Sequence, residues 1–133
     1  MAWKTYTLCN SIEATLTALE QISSEAQSPI FQALASYLLQ MDRGRLIRAI
    51  NSMQSYRLFT TLPSSIPLIW ESTISSPNGD NYVTYVVCDV GEISALCSCP
   101  DYRKHQKPCK HIAMVILDVL NLKVRKTAKK VAG

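Results

Sequence analysis

Four side chains toward the C-terminal end, Cys97, Cys99, Cys109 and His111, have the types and spacing to hold a metal ion. They read Cys-x-Cys, nine residues, Cys-x-His. Three thiolates and one imidazole make a tetrahedral zinc set with no open coordination position. The spacing has a physical reason. In an extended segment the side chains at i and i+2 point the same way, so Cys97 and Cys99 can grip one ion from a strand end. On a regular helix that spacing points them far apart. Cys109 and His111 therefore belong at a helix entry, with Pro108 biasing the chain away from helix just before it. The nine-residue insert is expected to fold around the metal as a knuckle.

Buried cysteine is also an ordinary small hydrophobe, but two close pairs of ligands within fifteen residues point to metal. Five cysteines without a secretion signal argue against a disulfide framework and for a reducing compartment, cytoplasm or nucleus. An iron–sulfur cluster uses the same ligand types and remains an alternative. His105 lies inside the insert and is the rival to His111. Its polar neighbours and its spacing favour a solvent-facing side chain.

The segment from Cys97 to His111 resembles the SWIM-type zinc finger, whose signature is Cys-x-Cys, a variable insert and Cys-x-His. All four ligand positions match, and Pro100 and Lys110 fit residues common in the family. The resemblance covers roughly Ile69 to Leu122. It implies one Zn2+ per chain and a role in nucleic-acid or protein interaction rather than one particular activity.

The charge is segregated. Residues 1–100 hold five Lys/Arg and eight Asp/Glu, net −3; residues 101–133 hold nine and two, net +7. A basic end of this kind fits a polyanionic partner. The candidate nucleic-acid contacts are Arg103, Lys104 and Lys107 on the knuckle and Lys123, Arg125, Lys126, Lys129 and Lys130 on the tail. Lysine-rich loops and tails touch phosphate and carry little sequence information. Lys104, Lys107 and Lys110 have a second use, since cations beside a zinc–thiolate centre favour the thiolate form.

Elements must position these groups. Asn10 and Glu13 have capping-box spacing, and Ile12, Leu16, Leu19 and Ile22 recur at helical period, which predicts a helix over 11–25. Ser28-Pro29 starts a second helix. Asp42-Arg43-Gly44-Arg45 reads as a break, and Leu46, Ile47, Ile50 and Met53 as a third helix ending near Tyr56. Its Arg43, Arg45, Arg48 and Arg57 read as a solvated side, although an arginine face can bind phosphate. Pro63, Pro67 and their Thr/Ser neighbours mark a linker over 58–67. Three strands follow, over 68–75, 82–88 and 92–97. A helix from His111 to about Leu122 is apolar nearly all round and so buried, which rules it out as a groove-reading helix.

The expected organisation is α+β: a helical region over 1–57, the linker, a zinc-binding domain over 68–122 with a three-stranded antiparallel sheet and a ββα-like finger, and a basic tail over 123–133. A short strand or arm is expected over Trp3–Leu8. Cys88, at the end of a predicted strand, is read as core or turn packing, and Cys9 has no assigned role. With four glycines and no Gly-x-x-x-x-Gly-Lys-Ser/Thr loop, nucleotide-driven chemistry is excluded. A four-ligand site lacks the open position of a zinc hydrolase. No apolar run has the length of a membrane span, and no small-molecule substrate is implied. Two readings stay open: a nucleic-acid-associated zinc module, or a protein–protein adaptor docking through the N-terminal helices with the zinc purely structural.

Overall fold

The computed structural model describes residues 11–63 and 65–122. The expected arm over 3–8, Asn10, Cys9 and the basic tail from Lys123 onward lie outside the described residues. Three helices come first. Helix α1 (Ile12–Glu25) is capped by Ser11, whose hydroxyl accepts from the Ala14 N–H at 3.1 Å. The cap is therefore Ser11 rather than Asn10. Helix α2 (Pro29–Gln40) begins with the Ser28 cap and Pro29 in its first turn, as the sequence predicts. Helix α3 (Arg43–Ser52) starts three residues earlier than the hydrophobic pattern implies. Asp42 accepts from the Arg45 N–H at 2.9 Å, so Arg43, Gly44 and Arg45 form its first turn instead of a break. It ends at Ser52, short of Tyr56.

The sheet has four strands, not three, in the order β1-β2-β3-β4 with every pair antiparallel. Strands β2 (Leu68–Ser75), β3 (Asn81–Asp89) and β4 (Glu92–Cys97) fall where expected. The extra strand, β1 (Arg57–Thr60), opens the segment read as a linker. It is four residues long and half-buried at best, so it carries little pattern of its own. Its place comes from its partner: Thr60 stands opposite Ser72, and their hydroxyls lie 2.9 Å apart. The β3–β4 hairpin turns through Val90 and Gly91, both at positive φ (51° and 79°). That is the backbone twist a two-residue hairpin requires.

Alternation gives the sheet one covered face. Trp70, Ser72, Ile74, Thr84, Val86, Cys88 and Cys97 point inward and are buried. Against that face, after a short helix α4 (Pro100–His105), lies α5 (Lys110–Val119), in which every residue from His111 to Leu117 is buried. Helix α5 also packs on α2 and α3, so it is the shared middle of the molecule. Leu34, Leu38, Leu46, Ile50, Trp70, Ile112 and Ile116 belong to one continuous core. Each fully buried aliphatic side chain of this kind contributes roughly 1.5–3 kcal/mol. Asn121, at φ 62°, ends α5. The Leu122 N–H bonds to Leu117 O at 2.8 Å and the Asn121 N–H to Asp118 O at 3.0 Å, the paired closure of a left-handed helix cap.

Candidate metal centre

Three elements deliver the four ligand residues. Cys97 is the last residue of β4, opposite Thr84, whose hydroxyl donates to its sulfur at 3.4 Å. Ser98 is clamped to β3: its N–H donates to Val83 O at 3.1 Å, and its hydroxyl accepts from the Val83 N–H at 3.0 Å. The chain stays extended through Cys99 (φ −72°, ψ 158°), which keeps its side chain on the same side as Cys97. Cys99 then caps α4, accepting from the Tyr102 N–H at 3.4 Å. Gln106, at φ 57°, ends that helix, and Pro108 leads into Cys109, the N-terminal cap of α5. His111 follows in the first turn. Two thiols thus sit at helix N-termini, where the positive end of the dipole favours thiolate.

The four ligand atoms lie within 4.8 Å of one another, and all four residues are buried. His111 Nδ1 is 3.8 Å from both the Cys97 and Cys109 sulfurs. Donors about 2.0–2.3 Å from a tetrahedral ion stand roughly 3.5–3.8 Å apart, so the two 3.8 Å separations match a zinc site and the wider ones, up to 4.8 Å, would close by about 1 Å on an ion. Nδ1 is the ring nitrogen that faces the sulfurs, so it would be the ligating atom and the proton would sit on Nε2. Nε2 is buried and has no hydrogen-bond partner among the described residues. The ring plane is fixed instead by Tyr82 and Tyr56, whose ring centroids lie 4.8 and 5.9 Å away.

The thiols do not behave alike. Cys97 is held well below the usual thiol range, to about 4, chiefly by its hydrogen bond with the Cys109 thiol and further by His111 and Thr84. Cys109, on the other side of that bond, is pushed up, and burial adds to the rise. Burial also raises Cys99, against the opposing hydrogen bond from Tyr102. Three buried thiolates cannot coexist without a counter-charge. A divalent ion held by these residues would supply it and displace the protons from Cys99 and Cys109 to solvent.

The family model for the SWIM zinc finger matches residues 82–120. Residues 82–120 form a SWIM zinc finger. The match runs from β3 to the end of α5, a narrower span than the Ile69–Leu122 of the motif-based reading. No curated protein matches the chain, and no solved structure does. With the buried Cys3His cluster, the SWIM finger is a site for one Zn2+, held by Cys97, Cys99, Cys109 and His111.

The SWIM finger leaves His105 outside the cluster. Its side chain is 47% exposed, with Nδ1 2.8 Å from Asp101 Oδ1. Arg103, Lys104 and Lys107 are exposed on α4 and the loop after it. Lys123, Arg125, Lys126, Lys129 and Lys130 lie outside the described residues. Cys88 is buried in the sheet core, apart from the metal cluster.

Sequence reasoning missed the bond that fastens the finger to the helical layer. Arg45 of α3 grips Asp101 of α4 with two hydrogen bonds, Nε to Oδ2 and Nη2 to Oδ1, each 3.0 Å. The Arg45 side chain is only 14% exposed, so it is not on the solvated side of its helix. Its guanidinium beside Asp101 holds that carboxyl down at about 2, with His105 assisting. On the other side of α4, the Tyr102 hydroxyl donates to Ala95 O at 3.2 Å and covers an outer carbonyl of β4. The partners in the Arg45 bridge are 56 residues apart in sequence, so no local pattern links them.

Proposed function

We propose that this protein is a small, non-enzymatic SWIM-finger module in which zinc is structural and the finger's basic surface holds nucleic acid by its phosphates, in the cytoplasm or nucleus. The observation that carries the reading is the state of the cations around the metal. Arg103, Lys104 and Lys107 are exposed, and among the described residues the lysines and arginines other than Arg45 form no ion pair. Unpaired cations on a rigid, metal-stapled loop release phosphate counterions on contact at little ordering cost. The basic tail adds Lys123, Arg125, Lys126, Lys129 and Lys130 to the same end of the chain. DNA is the favoured nucleic acid. Zinc with four protein ligands has no position for a reacting water, which supports the structural role.

The adaptor alternative assigns partner docking to the N-terminal helices. Their apolar faces are already used, because Leu19, Leu34, Leu38, Leu46 and Ile50 are buried in the common core. The discriminating experiment is a titration of the zinc-loaded chain with labelled duplex DNA at several salt concentrations. Binding should weaken steeply with salt, and Lys126→Ala/Lys129→Ala/Lys130→Ala should flatten the slope while zinc stays bound. Binding that ignores salt, or no binding at physiological salt, would return the argument to the adaptor.

A further inference from the structure

The basic groups that the charge count assigns to the C-terminal third do not act alone. Beside the metal centre, a cleft of about 200 Å³ is lined by Arg48, Asp101, Cys109, Lys110 and His111. Arg48 comes from α3, outside the SWIM finger, and Lys110 from the first turn of α5. The Arg45–Asp101 bridge joins α3 to α4 at the edge of the cleft, so the cleft is formed by the tertiary structure and not by one local segment.

We infer that the Arg48–Lys110 cleft is a seat for one phosphodiester of a nucleic-acid backbone, adding α3 to the binding surface of the finger. The inference rests on the nucleic-acid reading above and assigns it a specific place. Arg48 is exposed and forms no ion pair among the described residues, so its planar fork is available for bidentate contact with phosphate. Lys110 is held over the Tyr56 ring with its Nζ 5.0 Å from the centroid, which restrains an otherwise flexible cation at the rim. The one carboxylate in the lining, Asp101, is committed to Arg45 and His105, and the net −1 that three thiolates around a zinc ion would carry at Cys109 is outweighed by the two cations Arg48 and Lys110. The volume is several times the roughly 30 Å³ share of one water, which leaves room for a phosphate group.

The competing explanation is that Arg48 and Lys110 are counter-charges for the thiolate–zinc centre. The two accounts predict different losses. The probes are a short labelled DNA duplex, a single strand of the same length, and a metal assay on the zinc-loaded full chain. Arg48→Gln should keep one zinc per chain and lower the log–log salt slope by about 0.9 on duplex and about 0.7 on the single strand, with similar weakening for all sequences. Lys110→Gln should do the same. Arg43→Gln removes the same charge from α3 but lies roughly 140° around the helix from Arg48, and should leave the slope closer to that of the parent chain. Zinc loss in Arg48→Gln with an unchanged slope would overturn the seat in favour of counter-charge. An unchanged slope with zinc retained, or equal losses in Arg43→Gln and Arg48→Gln, would overturn it as well while leaving phosphate binding elsewhere on the finger intact. If the parent chain fails to bind either probe, the seat and the nucleic-acid reading fall together.

Discussion

The helical layer and the SWIM finger share one core but are held by different forces. In α1–α3 the termini are satisfied by Ser11, Ser28 and Asp42, and the inner faces bury Leu19, Leu34, Leu38 and Leu46. None of these residues belongs to the metal cluster. The finger instead brings three sulfurs and an imidazole into a buried cluster whose proton states conflict until a cation arrives. The lesson is one of coupling. Because α5 carries a ligand at its first turn and packs on both the sheet and the helices, the metal's binding energy reaches a layer that contributes no ligand.

The strongest way to break the comparison is to remove the metal. Chelation, or Cys99→Ala, should forfeit on the order of 10 kcal/mol of coupled folding and binding. Hydrogen exchange should then show α5 and β4 opening first, α3 next and α1 last. Simultaneous loss of all helices would mean that the two layers form a single cooperative unit. His111→Ala should abolish zinc retention and His105→Ala leave it unchanged, as metal analysis of the two variants would reveal. The pH dependence follows from the raised thiols. Cys99 and Cys109 must release their protons to solvent before the ion can bind, so zinc affinity should rise with pH through neutrality and fall on acidification, measured as proton uptake when the metal leaves.

A smaller effect tests the shared helix directly. Leu117 is fully buried in α5, and Leu117→Ala should cost about 2–5 kcal/mol by denaturant unfolding with zinc present. If the layers are coupled through α5, probes in the sheet and in α3 will report the loss, and a probe in α1 will report less of it.

The smallest concerns the bridge between the layers. Arg45→Ala should cost about 1 kcal/mol or less, because Asp101 is partly exposed and solvent screens the pair. Asp101 is depressed in the folded state, so its contribution is present above its unfolded pKa of about 4 and is lost as pH falls toward 2. The parent chain should therefore lose stability between about pH 4 and pH 2 more steeply than Arg45→Ala. Equal acid profiles would show that the bridge positions α4 without stabilising the fold.

The legible parts of the molecule share a property: their signals are local. Cys-x-Cys and Cys-x-His specify a strand end and a helix entry from a few neighbouring residues, and Ser28-Pro29 does the same for α2. The misses were non-local or rested on competing local signals. Asn10 and Ser11 are adjacent capping residues, and choosing between them needs the backbone angle. Gly44 made the first turn of α3 look like a break, although the Asp42 cap offsets the glycine. Strand β1 has no pattern because its register is borrowed from β2.

The sequence by itself pointed to the Cys97, Cys99, Cys109 and His111 set that the fold gathers into one cluster, because coordination chemistry restricts residue type and spacing within fifteen positions. It also determined the buried character of α5, since a helix apolar on every side has nowhere else to go. Tertiary structure alone decided that Arg45 is a half-buried clamp while Arg48, three residues further along the same helix, faces a cleft beside the metal cluster. Helical period puts both arginines on the polar side of α3. Which of them meets Asp101 and which stays free depends on how α4 lies against the helix, and that angle is set by the whole core.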